Sequence, residues 1–94
     1  MDIEGKGQAW RDPSGWGLAH CGHANALWPY FLTAPAGGPI VVSFNGKGFR
    51  SVAAARRAIE GIVAGRFKVG KRAEVSRGII FLRVRNADAF GEAV

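Results

Sequence analysis

A chain of 94 residues, 48% hydrophobic and 11% aromatic, is sized for one apolar core, which excludes a second domain and, despite 14 glycines, a disordered polyampholyte. No apolar run reaches the roughly 18 to 20 residues that cross a bilayer, and Met1-Asp2-Ile3-Glu4-Gly5-Lys6 lacks the basic start and apolar stretch of a secretion signal, so a cytoplasmic protein away from membranes is expected. The net charge of +6 is uneven: residues 1–45 hold two bases against three acids and residues 46–85 eleven bases against two acids, so the positive field belongs to the second half.

Residues 1–15 are polar, contain Gly5, Gly7, Pro13 and Gly15, and show no sustained period. They are expected to form a flexible arm in which Trp10 is the residue that docks. A single domain is expected over 16–90, followed by a tail at 91–94. Residues 16–21 (WGLAHC) alternate as a first strand, and 22–26 read as a turn. Residues 27–33 (LWPYFLT) carry the aromatic and branched bulk of a second strand. Pro29 cannot donate to a ladder, which predicts an edge position or a bulge there. After a turn at 34–39, residues 40–44 (IVVSF) form a third strand that ends at Asn45-Gly46, a pair suited to a tight turn.

The spacing predicts a helix over 52–64. Ser51 is a good N-cap, Val52, Ala55, Ile59, Ile62 and Val63 recur at three-to-four intervals, and Gly65 can close the last turn in a left-handed conformation. Phe49, just ahead of the cap, is expected to staple the entry into the core, while Arg56, Arg57 and Glu60 lie off the apolar stripe. Residues 79–85 read as a strand with Ile80, Leu82 and Val84 on one face and Ile79, Phe81, Arg83 and Arg85 on the other. Its first half is apolar on both faces and is expected inside the sheet. Residues 86–94 read as a helical turn or a frayed end. Together these elements predict an α+β domain: a three- to four-stranded antiparallel sheet packed on one face by a single α-helix.

Two motifs invite chemistry. Residues 65–71 (GRFKVGK) match most of the phosphate-binding pattern G-x-x-x-x-G-K, but Arg72 stands where a magnesium-ligating Ser or Thr is needed, and the segment follows a helix where that motif leaves a strand. It reads as a basic loop. His20, Cys21 and His23 gather both histidines and the lone cysteine, yet no second pair of ligands completes a zinc site within one chain. Neighbours on a strand point to opposite faces, so His20 is poorly placed to activate Cys21. Cys21 is expected in the core, with the histidines hydrogen-bonding the turn. No catalytic residue, metal or cofactor is implied, except for a metal shared between two chains at this cluster.

Trp10, Trp16, Trp28, Tyr30 and Phe31 are the residue types on which bases stack, although so small a domain also needs large aromatics for its core. The basic residues are harder to assign to ordinary solvation, because they come from separate elements in one half of the chain. Arg56 and Arg57 on the helix, Lys68, Lys71 and Arg72 in the loop, and Arg83 and Arg85 on the last strand are the candidate binding residues.

The segments His-Cys-Gly-His-Ala-Asn-Ala-Leu-Trp-Pro-Tyr at 20–30 and Gly-Lys-Gly-Phe-Arg-Ser-Val-Ala-Ala-Ala-Arg-Arg-Ala-Ile at 46–59 resemble short uncharacterised proteins of bacterial prophages and mobile elements. Three strands followed by an alanine-rich helix opened by Phe-x-Ser are also similar in topology to AP2 and methyl-CpG-binding DNA-binding domains, whose sheets enter the major groove. The strands between 16 and 44 contain no Lys or Arg, a departure from those families that leaves only the topology as analogy. The expected function is non-catalytic binding of nucleic acid, DNA or RNA, by contacts to phosphate. The alternative is a phage-type accessory inhibitor, for example of antiviral defence, that binds an acidic or nucleic-acid-handling host protein.

Overall fold

The computed structural model describes residues 7–85; the expected domain boundary at 90, the tail and the end segment 86–94 lie outside them. Among the described residues the chain forms β1 (Gly7–Arg11), β2 (Gly17–His20), β3 (Tyr30–Thr33), β4 (Ile40–Val42), α1 (Val52–Val63), β5 (Glu74–Ser76) and β6 (Ile79–Arg83). The strands make one sheet in the order β1-β2-β3-β4-β6-β5. Neighbours are antiparallel except β4 and β6, which run parallel with Val41 opposite Leu82.

The α+β class with one helix is as the sequence predicts, but the sheet is six-stranded and mixed where three or four antiparallel strands are expected. β1 forms inside the segment read as an arm. Its register slips between Gln8 and Trp10, so a bulge breaks the two-residue period that would have marked it as a strand. Trp10 does dock, packing on the core from β1. The chain returns to β2 through a turn in which Asp12 Oδ2 accepts from the Ser14 N–H (2.8 Å), the Asp12 carbonyl accepts from the Gly15 N–H (2.8 Å), and Gly15 takes φ 102°. Hydrogen bonds from the Ser14 side chain and backbone hold the Asp12 carboxyl below its usual value; desolvation opposes them, and the charge of Arg56 adds a smaller lowering.

Pro29 lies neither at an edge nor in a bulge. β3 begins at Tyr30 in the interior of the sheet, so the missing N–H falls just outside the ladder, and the Pro29 carbonyl accepts from the Cys21 N–H at 2.9 Å. The last strand is interior to the sheet as expected, yet Ile79 and Ile80 are 53% and 52% exposed, because they sit at the free end of the β5–β6 hairpin beyond the reach of β4.

Helix α1 is positioned by its caps and by small side chains. Ser51 Oγ accepts from the Ala54 N–H at 3.1 Å. At the other end Gly65 (φ 84°) donates to Ile62 and Arg66 to Gly61, which closes a Schellman turn. The buried face is Ala55, Ala58, Ile59 and Gly61, with Val52 and Ile62 at its margins, and it rests on β2 and β3. Val63, expected on this stripe, is exposed. Gly61 is required by contact: a Cβ there would enter the ring of Phe67. Phe49 closes the other end of the core, buried and tied to Tyr30 by two backbone hydrogen bonds of 3.2 and 2.7 Å. Leu18, Leu32, Val41 and Val84 complete the core beneath the helix.

Ile59 is fully buried and Arg57 exposed. Ile59→Ala is therefore expected to lower the unfolding free energy in urea by about 2 to 5 kcal/mol, and Arg57→Ala to leave it nearly unchanged. Arg77 and Gly78 join β5 to β6 with φ 52° and 79°, the paired positive values of a two-residue hairpin turn, and arginine is a costly occupant of that conformation. Arg77→Asn, which suits the left-handed region, is expected to stabilise by about 1 kcal/mol and raise the melting temperature by about 4 to 8 °C. Arg77→Lys, with the charge kept and the strain unrelieved, should leave it in place.

Candidate nucleic-acid interface

The topology places four of the seven candidate residues around one groove. Residues 68–70 run beside 83–85: Gly70 donates to the Arg83 carbonyl and Arg85 to the Lys68 carbonyl, both at 2.8 Å, with Val69 paired to Val84. Val84 is buried and Val69 packs against the core, so alternation turns Gly70 and Arg85 to the opposite face. Gly70 makes room there, since a Cβ would come within 3.2 Å of Arg85 Cγ. Lys71 and Arg72 follow at once. The result is an open groove of about 540 Å³ lined by Lys71, Arg72, Arg83, Arg85, Gly70, Val84, Glu74 and Phe44.

Arg83 and Glu74 have a different part in it. Arg83 Nη2 donates to Glu74 Oε1 at 2.9 Å, its Nε lies 2.8 Å from Oε2 as an ion-pair contact, and its Nη1 donates to the Phe44 carbonyl at 3.3 Å. The two side chains remain 41% and 34% exposed, so the pair adds on the order of 1 kcal/mol or less. Its effect is geometric. It ties β5, β6 and the turn after β4 together, and it occupies the one carboxylate that lines the groove among the described residues. Lys71, Arg72 and Arg85 are left facing the groove as exposed cations.

The remaining candidates do not join them. The Arg56 guanidinium lies 4.5 Å over the ring of Trp10 on β1, at the far end of the strand order from β5 and β6. Arg57 is exposed on α1, and Lys68 is exposed on the groove's flank without lining it. Sequence reasoning missed Phe44 and Glu74. β4 stops at Val42, and Phe44 belongs to the turn closed by the Gly46 N–H on the Ser43 carbonyl (2.9 Å) with Gly46 at φ 84°. Asn45-Gly46 marks a turn in the sequence, but not that the turn opens at Ser43, whose N–H and Oγ both reach the Lys47 carbonyl and draw Phe44 out of the strand.

The cysteine assignment is corrected. Cys21 is exposed, because β2 ends at His20 and Gly22 turns the chain at φ 95°. His20 does bond the turn, its Nδ1 accepting from the Gly22 N–H at 2.8 Å, and its ring meets Tyr30 edge-on at 5.0 Å. Among the described residues no three metal-ligating side chains converge. Cys21 instead borders a mainly apolar groove of about 470 Å³ on the sheet, with Trp28, Phe31, Ile40 and Ile79. The Nζ of Lys47 lies 4.4 Å over the Trp28 ring.

No family model, curated protein or solved structure matches the chain. No helix among the described residues is long and apolar enough to cross a membrane.

The exposure of Cys21 has a direct check. A thiol reagent is expected to titrate one cysteine in the native protein without denaturant, and Cys21→Ala is expected to abolish that reaction with little change in melting temperature.

Proposed function

We propose that the protein is a non-catalytic binder of nucleic acid that holds phosphates in the groove between residues 70–72 and the end of β6. The observation that carries this reading is the convergence of Lys71, Arg72 and Arg85 on a groove whose lining carboxylate is already engaged by Arg83. Among the described residues, no lining carboxylate other than the Arg83-bound Glu74 faces these three cations, so the groove concentrates positive potential, and each phosphate it neutralises releases counterions. Lysine and arginine contacts of this kind position a backbone and read no sequence.

A second reading, an accessory inhibitor encoded by a phage or mobile element that binds a host protein, draws on the exposed Val75, Ile79 and Ile80 of the β5–β6 hairpin. Such residues anchor protein partners and have no part in phosphate contact.

Replacing Lys71, Arg72 and Arg85 together by Ala is expected to weaken binding to every sequence alike and to flatten the salt dependence of affinity by roughly two to three units in a log–log plot. Fluorescence anisotropy with labelled oligonucleotides across a salt series measures both. If the wild-type protein binds neither duplex nor single strands at low salt, the phosphate reading fails and the protein-partner reading replaces it.

A further inference from the structure

Phe44 presents part of its aromatic ring to the cationic groove. It is 38% exposed, it follows two buried valines of β4, and it lines the same groove as the three cations. The turn that presents it is heavily braced. Ser43 N–H and Oγ both donate to the Lys47 carbonyl, Lys47 N–H donates to Asn45 Oδ1, Ser43 Oγ meets Asn45 Oδ1, and Gly46 N–H closes on Ser43. Arg83 then holds the Phe44 carbonyl from below, and its guanidinium lies so close to Gly46 that a Cβ there would come within 2.9 Å of Nη2. A ring carried on a backbone braced in this way needs no ordering of its turn when something packs on it.

We propose that the groove selects single-stranded nucleic acid over duplex, with one base stacked on Phe44 and the neighbouring phosphates on Lys71, Arg72 and Arg85. This rests on the phosphate reading above and adds to it the state of the strand. An aromatic ring beside cations is the pairing that captures unpaired bases, since every base has a π-face while the phosphates remain outside. In a duplex those faces are buried in the stack, and only the cations would be satisfied. The groove's volume of about 540 Å³ falls in the range that holds a ligand of nucleotide size.

The experiment compares three probes of equal length at one low salt concentration: a single-stranded oligonucleotide, its duplex, and a strand whose central nucleotides are abasic. The abasic probe keeps the phosphates and removes the stacking faces. Wild type is expected to bind the single strand about tenfold or more tighter than either of the others, and Phe44→Ala to erase that difference while leaving duplex and abasic affinities within about twofold. Phe44→Trp should keep the preference and Phe44→Leu should lose it. This pair decides the matter even if the alanine variant is poorly folded, because both replacements preserve apolar bulk. Equal affinity of wild type for all three probes, or a preference unchanged in Phe44→Leu, overturns the proposal and leaves the phosphate reading standing. Absence of binding to any probe removes both.

Discussion

The seating of α1 on β2 and β3 through side chains no larger than isoleucine is the constraint on which the rest of the molecule depends. Ala55 and Ala58 let the helix backbone lie close to the sheet, and Ile59 fills the space beside them. Phe49 and Phe67 close the two ends of this contact, one just before the helix and one just after it. Because Phe67 needs the vacancy at Gly61, the path of the chain as it leaves the helix is fixed by the absence of one methyl group. That path leads directly to 68–70 and so to the position of Lys71 and Arg72.

The helix also serves as the crossover that lets β4 and β6 pair in parallel, a geometry that no tight turn can supply. This pairing brings the residues after β4 next to those ending β6. Phe44 and Arg83 therefore meet across 39 positions of sequence, and the groove is assembled from three separated stretches. Each stretch is polar or mixed on its own. Only their juxtaposition gives a cationic groove with an aromatic wall.

Much of the fold was legible because its signals are local. The Ser51 cap, the helical stripe and the Gly65 closure are each contained within a few residues, and the helix lies where they put it. β1 was not legible, since its bulge erases the alternation that identifies a strand. The position of β6 beside β4 was hidden for a different reason: which strands become neighbours is decided by the crossover, and alternation reveals faces but not partners. At the groove, the basic residues were visible as a charge imbalance and four of the seven do converge. Arg56 was drawn away by Trp10, a partner in a segment with no apparent structure in the sequence. The split between Arg83, which clamps Glu74, and Arg85, which faces the groove, follows from the placement of β5, and that three-residue strand carries almost no signal of its own.

The parallel pairing of β4 with β6 has a kinetic consequence. The hairpins β1–β2, β2–β3 and β5–β6 close short loops, whereas Ile40 finds Phe81 only after a loop of about forty residues has closed, at a higher entropic cost. On a ribosome β6 emerges after every other element of the described fold. The groove is therefore the last part of the described fold to be completed during synthesis. A nascent chain carries Lys71 and Arg72 before the strand that completes their surroundings has formed, and Arg83 and Arg85 join them only as β6 closes the core.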